Sequence, residues 1–175
     1  DALDNSSVGQ IISVDSGLYE ENIIWPNTSG IKLYGVSRDE TIIDGQGIGT
    51  VIQFDYTSVV DTEIKHLTIQ DGSASDQSSS GLNIIGEEVT VEDVLFTGNN
   101  GGRVIEGANN IYWNEDEYDY KHSFIDLEIR DNNAAVFYLG IGDYNIDHCL
   151  IVNNTGHQFV THDQNIRLTI DHSTV

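Results

Sequence analysis

The sequence is short of basic residues, of cysteine and of long apolar runs, and each shortage excludes something. Only 7 Lys and Arg stand against 29 Asp and Glu, a formal charge of −22 at pH 7. Phosphate backbones and anionic membrane surfaces repel such a chain, so no nucleic-acid partner is expected. The single cysteine, Cys149, excludes an internal disulfide framework and leaves the compartment unread. No run approaches the roughly 18 apolar residues of a membrane span, so no membrane insertion is expected. What remains is an acidic surface open to divalent cations, basic partners and neutral or cation-bridged sugars. At 175 residues and 38% apolar content the chain suffices for one domain with a real core.

The informative pattern is a repeat. "FTGNNGGRVIEG", "IRDNNAAVFYLG" and "IVNNTGHQFVTH" each place an apolar residue three positions before an Asn, so that Phe96 leads to Asn99, Ile129 to Asn132 and Ile151 to Asn154. The same step takes Ile69 to Gly72 and Ile170 to Ser173. Spacings of roughly 20 to 30 residues, with insertions, mark a solenoid. Around each turn apolar residues fall at every second position, as in Ile64, Leu67 and Ile69, in Val89, Val91, Val94 and Phe96, in Ile125, Leu127 and Ile129, and in Ile166, Leu168 and Ile170. Period two predicts strands, and the rest of each coil supplies the long crossover that parallel pairing requires. Asn tolerates the left-handed backbone of a sharp corner, and its amide both donates and accepts. Asn99, Asn132 and Asn154 are therefore expected to form a ladder from coil to coil, with Gly101, Ala134 and Gly156 leaving room behind it.

These residues carry a resemblance. The chain resembles the right-handed parallel β-helix proteins of the pectin-lyase-like superfamily, of the secreted bacterial type. Residues 9–54 are similar to the entry module of such proteins, with a "GxYxE" turn matched by Gly17, Tyr19 and Glu20 and a "TIIDG" turn matched by Thr41 to Gly45. "IKHLTIQDG" and "LFTGN" look like later coils. The resemblance implies an all-β, single-stranded right-handed parallel β-helix of about seven to eight coils, a rod about 35 to 40 Å long at one strand spacing per coil. It also implies a secreted or cell-surface location. "DALDNSSVGQ" looks like the last turn of a capping helix and "IRLTIDHSTV" stops within a coil, so residues 1–175 are expected to be a single β-helix domain from a longer protein or a subunit without complete end caps. Uncapped coils invite pairing, and contact with itself through coil ends or edges is expected.

Function is sought in the insertion 109–122, "NNIYWNEDEYDYKH". Its rings, Tyr112, Trp113, Tyr118 and Tyr120, offer flat faces to sugars, and its carboxylates, Glu115, Asp116, Glu117 and Asp119, suit Ca²⁺, which takes oxygen ligands. Lyases of the resembled fold pair calcium-holding carboxylates with a basic residue, for which Arg103 and Lys121 are the candidates. Arg130 and Arg167 lie between inward strand positions and are expected to face solvent. His157 and His162 flank a strand with Asp163, and His148 and His172 stand about one coil apart, so a cross-coil cluster on one face is open to them; a solvated histidine stripe is expected ahead of a metal site, because spacing does not show convergence. Cys149 is expected in the core. Two readings follow: a non-catalytic extracellular module with a structural, assembly or carbohydrate-contacting role, and a calcium-assisted polysaccharide lyase or related glycan-active enzyme. The enzyme requires at least three carboxylates about a cation with Arg103 or Lys121 in the same groove.

Overall fold

The computed structural model describes residues 2–55, 59–75, 78–85, 88–107, 120–161 and 166–175. The described residues form strands and no helix: β1 (Ile11–Ser13), β2 (Gly17–Glu20), β3 (Ile23–Trp25), β4 (Lys32–Tyr34), β5 (Thr41–Asp44), β6 (Ile52–Phe54), β7 (Thr62–Gln70), β8 (Ser79–Ile84), β9 (Glu88–Thr97), β10 (Asn100–Gly107), β11 (Lys121–Ile125), β12 (Glu128–Arg130), β13 (Asn133–Leu139), β14 (Gly142–Asp147), β15 (Leu150–Val152), β16 (Phe159–Thr161) and β17 (Ile166–Asp171). Every pairing between these strands is parallel.

The chain coils through three faces. The first runs β1-β4-β7-β9-β11-β14-β17, seven levels deep. The second is built from β2, β5, the later halves of β7 and β9, β12 and β15, and the third is the 6-stranded sheet β16-β13-β10-β8-β6-β3. No edge is left between first and second faces in β7 and β9, because each strand bends without ending. The bend falls at His66 and Asp93, with φ of 59° and 51°.

Alternation becomes a core because the register stacks equivalent residues. On the first face Ile12, Leu33, Ile64, Val91, Phe124 and Ile146 stand directly above one another and all are buried. The second face contributes Ile43, Ile69, Phe96, Ile129 and Ile151. On the third face Trp25 stacks on Phe54 at 4.8 Å and Phe137 on Phe159 at 5.3 Å, with planes within 8° of parallel. Each such side chain contributes about 1.5–3 kcal/mol on burial.

Two left-handed corners recur in the coils from β7 onward. The first holds His66, Asp93, Asp126, His148 and His172, and the second Asp71, Gly98, Asp131 and Asn153, all with positive φ. The left-handed residue thus sits one place before the ladder amide, which refines the expectation that the Asn pair itself makes the corner. The ladder is inside. Asn99 donates its backbone N–H and its Nδ2 to Asn132 Oδ1 at 2.9 and 3.1 Å, and Asn132 donates likewise to Asn154 Oδ1 at 3.1 and 2.9 Å. Their remaining amide protons reach the carbonyls of Ile69, Phe96 and Ile129. Below Asn99 the ladder ends on the N–H of Gly72, 3.0 Å from Asn99 Oδ1, because a side chain at Gly72 would run into the carbonyl oxygen of Ser80. A second ladder lies outside, where Asn133 Nδ2 donates to Asn100 Oδ1 and Thr155 Oγ1 to Asn133 Oδ1, each at 2.6 Å.

The fifth member of the sequence alignment is a correction. Ile170 is in register with Ile146, not Ile151, so Ser173 belongs to the first corner, where its Oγ accepts the N–H of Cys149 at 3.0 Å. Cys149 is in the core. The insertion leaves the register intact on both sides: Val89 pairs with His122 and Phe96 with Ile129.

His122 is a buried titratable group on the inner side of the first face. Its ring is fully buried between those of Tyr120 and Tyr144, at 6.4 and 5.3 Å, and neither nitrogen has a hydrogen-bond partner among the described residues. Burial pushes its pKa down from 6.5 to about 3.

Two outcomes are expected. Asn132→Leu removes hydrogen-bond partners from four neighbours, Asn99, Phe96, Arg130 and Asn154, and should lower the free energy of urea unfolding by about 1–3 kcal/mol; a loss below about 0.5 kcal/mol would show that the ladder amides are dispensable. For His122 the folded pKa lies below the unfolded one, so stability is complete above 6.5 and falls as the pH drops towards about 3. His122→Leu should abolish that slope of up to about 1.4 kcal/mol per pH unit. Unfolding curves for both proteins near neutrality and at about pH 5 would then diverge in favour of the variant.

Candidate functional site

Outward positions on the first face carry the polar chemistry. At its lower levels Lys32 Nζ lies 2.7 Å from Glu63 and 2.8 Å from Asp61, while Lys65 Nζ lies 2.8 Å from Glu63 and 2.7 Å from Glu92. Tyr34 donates its hydroxyl to Glu63 Oε2 at 2.6 Å. Burial opposes the charge on Glu63, but hydrogen bonds from Lys32, Lys65 and Tyr34 outweigh it and hold the carboxyl down at about 2. Lys65 is raised by its carboxylate partners against the opposing effect of burial.

At the upper levels the register aligns two rows, Lys121 with Asp143 and Arg167, and Ser123 with Asn145 and Thr169. These six line a shallow groove of about 250 Å³. Arg167 donates to Asp143 at 2.6 Å. At the second corner Glu20, Asp44 and Asp71 border a hollow of about 500 Å³ floored by Gly72 and Gly98. Burial and the charge of Asp44 push the Asp71 carboxyl up. Amide donors serve Asp44 there, the N–H of Gln46 at 2.7 Å and Gln70 Nε2 at 2.8 Å.

The first corner forms a stripe of imidazole and carboxylate along one edge. His66 Nδ1 lies 2.9 Å from Asp93 Oδ2. Two levels at the other end bring His148 and His172 ring over ring at 4.8 Å, with Asp147 beside both. Among the described residues, Asp147, His148 and His172 are the group whose ligand atoms converge, all within 4.8 Å. Spacing alone placed the two histidines about one coil apart; the shared carboxylate appears only once the strands are paired.

The remaining candidates are distributed as follows. Tyr112, Trp113 and Tyr118, with Glu115, Asp116, Glu117 and Asp119, lie outside the described residues. Tyr120 is 1% exposed and part of the core, so it presents no face to a sugar, a correction that follows from its inward parity with His122 and Phe124. Arg103 belongs to β10 on the third face, where its guanidinium bonds Glu106 at 2.7 Å and covers the Tyr138 ring at 3.4 Å. Lys121 opens β11 on the first face, so the two candidate bases do not share a groove. Arg130 is bound to Glu128 and Asp131 at 2.7 and 2.9 Å.

No family model and no curated protein sequence matches the chain. Among solved structures it is similar to a pectin methylesterase in complex with a hexasaccharide, at 14% identity over 95% of this chain and 58% of that one, with a TM-score of 0.50. It is also similar to the pectin methylesterase PemA from Erwinia chrysanthemi, at 13% identity over 87% of this chain and 54% of that one, with a TM-score of 0.44. For the enzyme from carrot the identity is 16% over 94% of this chain and 56% of that one, with a TM-score of 0.40. The chain thus spans less than two thirds of each of these proteins. At such identities the likeness is one of fold, and the fold of this chain is the right-handed parallel β-helix of the pectin-lyase-like type.

Proposed function

We propose that this chain is a non-catalytic, secreted or cell-surface β-helix module that lays its first face against an extended, uncharged polysaccharide. The observation that carries this reading is the commitment of every cation. Lys32, Lys65, Arg38, Arg103, Arg130 and Arg167 each sit within ion-pair distance of a carboxylate, and Lys121 is engaged as well. Proton abstraction beside a uronate carboxylate requires a base near a metal-held substrate. Arg103 and Lys121, the candidates for that base, stand on different faces.

Contact with a polymer is supported by repetition. The rows Lys121, Asp143, Arg167 and Ser123, Asn145, Thr169 offer donors and acceptors at the constant spacing of one strand per coil, about 4.8 Å. A periodic surface suits a periodic ligand. The chain enters this face from the insertion that carries Tyr112, Trp113 and Tyr118, whose rings we assign to the same contact. The solved pectin methylesterase of TM-score 0.50 is described with a hexasaccharide, which supports a β-helix of this kind as an oligosaccharide platform. A formal charge of −22 repels polyanions and favours neutral chains, unless Ca²⁺ bridges the two.

Affinity electrophoresis through gels containing neutral polysaccharides, methyl-esterified pectin or its de-esterified form tests this. Retardation is expected with an uncharged polymer and not with the free polyanion in the absence of Ca²⁺. Arg167→Ala and Asn145→Ala should each weaken binding about threefold to tenfold, the worth of one hydrogen bond. Release of methanol or of unsaturated ends, or migration indifferent to every polymer, would overturn the reading.

A further inference from the structure

The first corner repeats one backbone conformation at successive levels, and a side chain there is therefore aimed the same way each time. His148 and His172 have φ of 54° and 47° and lie one coil apart, which sets their rings 4.8 Å apart and within 22° of parallel. Both turn Nδ1 to the same atom, Asp147 Oδ1, at 2.9 and 3.1 Å. Nothing in the backbone requires imidazoles here. The second corner meets the same left-handed demand with Gly98 and Asn153.

We propose that Asp147, His148 and His172 form a binding site for a divalent transition metal of the Zn²⁺ type, with both imidazoles ligating through Nδ1 and solvent completing the shell. Zinc takes nitrogen and carboxylate oxygen at about 2.0–2.2 Å in a tetrahedral shell. Ligand atoms around one ion then stand about 3.3 Å apart; the two N···O distances here are 2.9 and 3.1 Å and the three atoms lie within 4.8 Å of one another, so the exposed imidazoles close on the ion by turning about their side-chain bonds. The ion replaces the protons that now bridge nitrogen and oxygen. Asp171, in register with Asp147, brings a further carboxylate to the next level. All three ligands are partly or well exposed, so the ion enters without opening the fold.

The site differs in kind from the rest of the acidic surface. Carboxylates alone favour Ca²⁺ and Mg²⁺, whereas imidazole selects zinc, copper and nickel. Bound metal would tie β14 to the strand that follows it, β17, across the first corner.

Calorimetric titration with ZnCl₂ in excess Mg²⁺ tests the proposal, with CoCl₂ absorption as a report of nitrogen and oxygen coordination. Asparagine accepts the left-handed backbone, so His148→Asn and His172→Asn keep the corner while removing the ligands. One equivalent of Zn²⁺ is expected to bind the intact chain and to raise its melting temperature. Each single variant should weaken binding at least about tenfold, and the double variant should lose it. His66→Asn, at the opposite end of the stripe, should leave it unchanged. Absence of saturable zinc binding, or binding that survives in the double variant or vanishes in His66→Asn, would overturn the assignment.

Discussion

Everything in this protein rests on the constraint that each coil places a residue directly over its equivalent in the coil before. Parallel pairing with constant register makes the molecule a set of columns, and a column is stable only if like can stack on like. Aliphatic columns do so by burial. The amide column does so because one side chain both donates and accepts, so Asn132 serves Asn99 on one side and Asn154 on the other. Charged columns do so by alternation, as where Glu88, Lys121, Asp143 and Arg167 succeed one another level by level. Where like charge does stand over like, as Glu20 over Asp44 and Asp147 over Asp171, one member of each pair is exposed to solvent.

The same constraint explains what could be read without coordinates. Asn99, Asn132 and Asn154 were legible because a ladder repeats its residue type, and the strands were legible because their inward residues alternate. Ser173 was misplaced because both corners of a coil follow an apolar residue by three positions, as Ile146 leads to Cys149 and Ile151 to Asn154. Only pairing with β14 tells which corner it is. Tyr120 was misread for a related reason. It alternates with His122 and Phe124 as a core residue should, but it adjoins a run rich in tyrosine and acid that hides the parity. His122 itself carries no local sign that its nitrogens are buried without partners among the described residues. The separation of Arg103 from Lys121 depends on the length of chain between two faces, which no motif records.

The polar surface reflects scarcity as much as pattern. With 7 cations among 29 acids, Lys32, Arg38, Lys65, Arg103, Arg130 and Arg167 each stand within ion-pair distance of a carboxylate. Arg103 shows the extreme case, packed over Tyr138 and bonded to Glu106 with 12% of its side chain exposed. Such groups maintain the scaffold. Chemistry then falls to positions the scaffold does not need, which are outward hydroxyls, amides and corner residues.

The corners are the clearest of these. From β7 onward these corners share a positive φ, and aspartate, asparagine, glycine and histidine all adopt it here. The residue type changes from level to level while the strands on either side keep their register. The edges of this rod therefore behave as an alphabet separate from its structural grammar, in which carboxylate, amide and imidazole can be rewritten level by level while the coil beneath stays the same.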